Sequence, residues 1–294
     1  MQGGFVNRIA IGTTKLGMPY GAVTPEKVSE VRTKNIFVKA IDLGFSCFDT
    51  APSYGNAEQL IGQYLSANLR RLCVTKVAKV RTDEINDEAL QTVEDHFQTS
   101  LQNMQTPTCY GLLVHDVQDL FKPGAEKLVE WMQSLKVKGR VNKIGVSVYT
   151  PEEAEELFDR FDFDLIQLPC NIYDQRFLQS DVLARLKAKK VEIHARSLFL
   201  KGLILKPNAI VNIPQGLITH NEQFYNAMQE QGIKTYDACL AFAEKCMEID
   251  RWVIGVSSQQ QLMQLLNVET QKAETVDLEQ WAYLGETALD PRTW

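Results

Sequence analysis

The chain has 294 residues, 45% of them hydrophobic, with 31 Lys and Arg against 37 Asp and Glu for a net charge of −6. That length suits one large α/β domain or two ordinary ones, and the absence of a long basic block excludes a nucleic-acid footprint. The N-terminal MQGGFVNRIAIGTTKLG has no basic segment leading an apolar run, and no stretch of about 18 apolar residues occurs anywhere, so neither secretion nor membrane spanning is expected.

A cytoplasmic location follows as an expectation. Cys47, Cys73, Cys109, Cys170, Cys239 and Cys246 are scattered without a CxxC pair, and they read as buried thiols in a reducing compartment rather than as metal ligands or disulfides.

After Arg8, IAIG predicts a first strand and MPYGAVTP a loop. Val31, Ile36, Val38 and Ile41 predict a helix ended by Gly44. Residues 45–62, FSCFDTAPSYGNAEQLIG, hold a short strand that stops at Asp49, a break at Pro52, Ser53 and Gly55, and a helix carrying Leu60, Ile61 and Leu65, with Glu58 in its first turn. Further strands are predicted over 72–77, 110–115, 144–148, 165–170, 191–198 and 252–256.

Between them, Val93, Phe97, Leu101 and Met104 form one helical stripe and Leu128, Trp131, Met132 and Leu135 another. Thr150-Pro-Glu-Glu153 is a capping box with proline at the first helical position. Helices are also expected near 180–189 and over 260–266. The long interval 208–245 is expected to hold a loop and a helix around 235–247.

Eight short apolar strands, most of them followed by a helix and with no Pro/Gly-rich linker, predict an α/β fold of the single (β/α)8 TIM barrel type spanning 1–294. In such a barrel, sites gather at the C-terminal ends of strands. There the sequence places Asp49, Lys76, His115, Ser147 and Gln167, with Tyr54 on the loop after Asp49.

Singly, each has a plainer reading: Asp49 as a turn residue, Lys76 as a solvated charge, His115 as a core histidine, Tyr54 as a packing aromatic. Together they make proton-handling machinery. An aspartate lets a partly buried ammonium be tolerated, and an ammonium near a phenol favours its ionised form.

The segments GFSCFDTAPSYGNAEQLIG, VTK ending at Lys76, LLVH ending at His115, IGVS ending at Ser147 and DLIQLPCN over 164–171 resemble the successive motifs of the aldo-keto reductase superfamily, in order across about 8–267. The resemblance implies an NAD(P)-dependent reductase of a small-molecule carbonyl. Tyr54 would be the proton donor, Lys76 and Asp49 would tune it, and His115 would orient the carbonyl. No metal is implied.

It also implies a cofactor site at Gly12, Thr13, Thr14 and Asp49. Ser147 and Gln167 would hold the nicotinamide amide, although Val148 stands where an Asn often follows the Ser. Arg196 would stack on the nicotinamide, Ser197, Leu198 and Gly202 would follow the pyrophosphate, and Gly255, Ser257, Ser258 and Gln261 would meet the adenosine phosphate. VIGVSSQQQLMQLL carries no Lys or Arg, where NADP-specific members usually clamp the 2′-phosphate. NADP(H) is therefore expected with a weaker preference than usual, and NAD(H) as an alternative.

The other readings are a cofactor-binding regulatory or channel-type subunit and a lyase or isomerase on the same barrel. No membrane or nucleic-acid partner is expected, and the chain is expected to be a monomer or a weak homo-oligomer. Specificity would lie in loops 18–25, 116–123, 173–177 and 206–224. Tyr20, Tyr149, Tyr173 and Phe199 would be aromatic walls and Arg176 and Lys201 polar anchors, for a small aldehyde or sugar-type carbonyl.

Overall fold

The computed structural model describes residues 3–21, 26–206, 213–266, 273, 276–290 and 293. Residues 22–25 and 207–212 of two expected specificity loops, and most of the segment from 267 to 275, lie outside them. Eight parallel strands close in sequence order into one barrel, β1 (Ile9–Gly12), β2 (Cys47–Asp49), β3 (Cys73–Val77), β4 (Cys109–Val114), β5 (Val141–Ser147), β6 (Leu165–Pro169), β7 (Glu192–Arg196) and β8 (Arg251–Gly255). Closure pairs Ile9 to Gly12 with Trp252 to Gly255 in register. The strands are short and apolar because helices cover them outside and side chains fill them inside.

The helices that matter here are α1 (Glu30–Asp42), α2 (Ala57–Tyr64), α3 (Asp87–Asn103), α4 (Ala125–Val137), α5 (Pro151–Arg160), α6 (Val182–Ala188), α7 (Gln215–Glu230), α8 (Thr235–Lys245) and α9 (Gln259–Leu266). The predicted capping box starts α5: Thr150 Oγ1 accepts from Glu153 N at 3.2 Å, and Glu153 Oε2 accepts from Thr150 N at 3.2 Å. Among the described residues, no helix is long and apolar enough to cross a membrane.

The helix predicted before Gly44 is α1, and one expectation, that for the interval 208–245, needs correcting. The inward stripe of α1 is Thr33, Ile36, Phe37 and Ala40, while Val31, Val38 and Ile41 are exposed. Phe37 decides the orientation by packing 5.8 Å from Phe48 of β2. The interval 208–245 carries a second helix, α7, where a loop was expected to run on to Phe224. Leu217, Phe224 and Met228 line its buried face, but Asn221 interrupts that stripe, buried because it is hydrogen-bonded to Tyr173 Oη, Leu203 O and Lys206 O.

The turn after β2 is fixed by backbone contact. A Cβ on Gly17 would lie 1.9 Å from Tyr54 O and 2.7 Å from Ala57 Cβ, so the β1 loop presses directly on the Tyr54 turn. Gly55 completes the lock at φ +60, a left-handed conformation that glycine adopts without a steric cost.

Candidate active site

Strand ends bring the ionisable residues to one rim. Asp49 ends β2 in register with Gly12, Lys76 is the penultimate residue of β3, His115 follows β4, and Ser147 ends β5 opposite Gln167 of β6. Tyr54 arrives from the turn that Gly17 pins.

The Lys76 Nζ donates to Asp49 Oδ1 at 2.8 Å and to Thr50 O at 2.9 Å. Gln167 Nε2 donates to the other carboxylate oxygen, Oδ2, at 2.8 Å. The pair is sealed, with side-chain exposures of 1% and 4%. Burial alone would push the ammonium down, but the Asp49 carboxylate and the Tyr54 oxygen outweigh it and hold Lys76 above its ordinary value.

That ammonium lies 5.1 Å from the centre of the Tyr54 ring. His115 stands edge-on to the same ring with centroids 5.7 Å apart, and its Nδ1 is 3.4 Å from Ser53 Oγ. Desolvation pushes His115 down to about 4, helped by Lys76 and Arg196 and resisted by Asp49. Its imidazole is therefore neutral at physiological pH, with one ring nitrogen a donor and the other an acceptor.

A cavity of about 410 Å³ opens at this rim, lined from Tyr54 and His115 through Gln167 and Arg196 to Ser257, Gln261 and Leu265. Gly12, Thr14, Asp49, Ser147, Ser197, Leu198, Gly202 and Gly255 line it as well. Three predicted residues do not. Lys76 is buried with its Nζ against the Tyr54 ring, Thr13 is fully buried with its Oγ1 donating to Asp49 O at 2.9 Å, and Ser258 lies outside the lining, its Oγ accepting from Gln261 N at 3.2 Å.

Of the expected aromatic walls, Tyr20, Tyr149 and Phe199 line the cavity, but Tyr173 is a core residue packed edge-on to Phe224. Lys201 lines it too, whereas Arg176 is held by Asp174 through Nε at 2.8 Å and Nη2 at 2.9 Å. The loop after β4 contains a 3-10 turn, Val117–Phe121. Sequence reasoning missed Lys15, which the GTTKLG loop carried in plain view, and Tyr236, which stacks on Phe199 at 5.2 Å and had no local signal.

The cavity's polar groups suit a nucleotide carrying a carboxamide. Ser147's hydroxyl and Gln167's carbonyl oxygen make no hydrogen bond among the described residues, and both residues line the wall, a donor and an acceptor side by side. Gly255 leaves open space where a Cβ would stand. The segment Ser197 to Gly202 bends sharply, with Ser197, Leu200 and Lys201 all at positive φ, strain of the kind that gathers at ligand-binding sites.

Residues 8–286 match the Aldo/keto reductase family. The chain is 26% identical over 205 residues to aldo-keto reductase YhdN of Bacillus subtilis, covering 67% of this chain and 60% of that protein. It is 26% identical over 152 residues to D-arabinose 1-dehydrogenase of Saccharomyces cerevisiae, covering 49% of this chain and 43% of the yeast protein. The chain thus spans less than two thirds of the length of these curated relatives.

Among solved structures, the holo form of an aldo-keto reductase from Bacillus halodurans superposes with a TM-score of 0.70 at 18% identity, covering 96% of this chain and 91% of that one. A glycerol dehydrogenase from Gluconobacter oxydans gives 0.64 at 19% identity, covering 89% and 86%. These two likenesses establish the barrel fold. With the family match running across all eight strands of the barrel, the chain belongs to the aldo/keto reductase family.

Proposed function

We propose that the cavity binds a pyridine nucleotide and that the protein reduces an aldehyde or ketone, small or sugar-type, to the alcohol. The observation that carries this reading is the buried Lys76 ammonium, fixed by Asp49 and facing the Tyr54 ring with His115 beside it. When bound, the nucleotide supplies the hydride. Tyr54 gives its hydroxyl proton to the substrate oxygen, and Lys76 stabilises the charge left on the phenol. Asp49 keeps Lys76 charged in a site where burial opposes it. Neutral His115 donates its ring N–H to the same substrate oxygen and fixes the direction of the carbonyl.

Ser147 and Gln167 would hold the carboxamide of the nucleotide. At the far end, Gln261 Oε1 accepts from Ser257 N at 2.7 Å and from Ser257 Oγ at 3.0 Å, so the first turn of α9 is occupied by an amide and carries no cation. The first turn of α9 therefore supplies no charged clamp for a 2′-phosphate, although Arg32 of α1 lines the adjoining cleft with Ser258 and Gln259, and the preference for NADP(H) over NAD(H) is weaker than usual. Two relatives are named for polyhydroxylated compounds, arabinose and glycerol, which favours a sugar-type carbonyl here.

The test follows coenzyme oxidation at 340 nm with NADPH and NADH in parallel, against a reactive aryl aldehyde and a free aldose, for the wild type and Tyr54→Phe. Turnover should fall by about two to four orders of magnitude in the variant, while coenzyme binding survives. Tight coenzyme binding with no turnover in the wild type would make the protein a cofactor-sensing subunit. A large NADPH preference in side-by-side binding constants would defeat the reading of the Ser257 end.

A further inference from the structure

Arg196 carries a positive charge into the reaction chamber that no carboxylate among the described residues pairs with. It ends β7, opposite Pro169 of β6. Its guanidinium carbon lies 4.3 Å from the centre of the Tyr149 ring. Nη2 donates to Val148 O at 3.0 Å, and Nη1 is 3.4 Å from Ser197 Oγ. A guanidinium stays charged at any working pH. Asp49, the cavity's carboxylate, is already taken by Lys76 and Gln167.

The group is held in place without any ligand. Tyr149 N donates to Glu153 Oε2 at 2.7 Å, and Tyr149 O accepts from Arg176 Nη2 at 3.3 Å. Asp174 grips Arg176 in turn, at 2.8 and 2.9 Å. A planar cation is thus held against an aromatic ring and the carbonyl that follows β5. Its field reaches the reacting centre, where it adds to the forces that keep His115 neutral.

Hydride transfer puts the nicotinamide ring in the same chamber as Tyr54 and His115. The reduced ring is neutral. When a hydride, two electrons and one proton, passes to the carbonyl carbon and the Tyr54 proton goes to the oxygen, the ring is left with one positive charge. A fixed cation in that chamber repels only the oxidised ring.

We propose that Arg196 sets the redox preference of the site, so that the protein binds the reduced coenzyme far more tightly than the oxidised one. This rests on reading the cavity as a pyridine-nucleotide site. Its consequence in carbonyl reduction is that spent coenzyme leaves readily and inhibits weakly. In alcohol oxidation, the on-protein equilibrium lies further toward the reduced coenzyme than it does in water.

The experiment measures dissociation constants for NADH and NAD⁺, and for NADPH and NADP⁺, by quenching of intrinsic tryptophan fluorescence and by calorimetry. The proteins are the wild type, Arg196→Gln and Arg196→Lys, each first checked by thermal melt. The oxidised-to-reduced ratio of dissociation constants should fall by about tenfold in Arg196→Gln and should be largely kept in Arg196→Lys, which retains the charge without the planar stack. An unchanged ratio in Arg196→Gln, or equal narrowing in both variants, would overturn the assignment while leaving the nucleotide site intact. Failure of any coenzyme to bind the wild type would remove the nucleotide site and this inference together.

Discussion

Lys76 Nζ sits 2.8 Å from Asp49 Oδ1 in a pair that solvent scarcely touches. Such a pair contributes little net stability, because desolvation cancels much of the attraction, but breaking it strands a buried charge. Lys76→Met leaves Asp49 with Gln167 alone, and its stability should drop by about 3–5 kcal/mol in urea unfolding. The double variant Lys76→Met with Asp49→Asn should regain most of that stability and none of the turnover. Recovery of both together would mean that the pair serves folding only.

His115 is held at about 4 in the folded protein, below its ordinary value. Between that value and about 6.5 the unfolded chain binds the proton that the folded chain refuses, so stability rises with pH through this window. The wild type should be about 1–2 kcal/mol less stable at pH 5 than at pH 7, and His115→Gln should lose most of that difference. The pH profile of kcat/KM should show no inflection near the ordinary histidine value. An inflection there that vanishes in His115→Gln would contradict a neutral imidazole.

Gly17 touches the carbonyl of Tyr54, so Gly17→Ala must displace the turn that carries the proposed acid. Turnover should fall by about 100-fold or more, as expected when a reacting group moves by about 1 Å, and the melting temperature should drop as well. Gly139→Ala is the comparison. Its φ is +67 and nothing lies near the added Cβ, so it should cost about 1 kcal/mol of stability and leave activity unchanged. Equal losses of activity in the two variants would remove the special role of the Gly17 contact.

The barrel was legible because its strands are short apolar runs closed by turn residues. The rim was legible because Asp49, Lys76, His115 and Ser147 are chemistry-bearing residues at the ends of such runs. What stayed hidden depended on partners distant in sequence. The buried face of α1 was not legible because Val31, Val38 and Ile41 are apolar yet exposed, while Phe37 packs against Phe48. Helix α7 was obscured by Asn221, a polar residue whose burial makes sense only with Tyr173, Leu203 and Lys206 around it. Arg176 read as a substrate anchor because its neighbour Asp174 looks like an ordinary loop acid until both are seen in place.

The barrel closes where Ile9 to Gly12 lie against Trp252 to Gly255, and Arg8 tightens the seam by donating to Ile249 O at 2.9 Å. The first and last strands are thus neighbours in space though they are far apart along the chain, and contacts of that kind form late in folding. During synthesis, β1 has no eighth strand to pair with until Arg251 to Gly255 have left the ribosome. Activity should therefore appear abruptly rather than grow with chain length, and a fragment ending before Arg251 should expose an open strand edge ready to pair with another molecule.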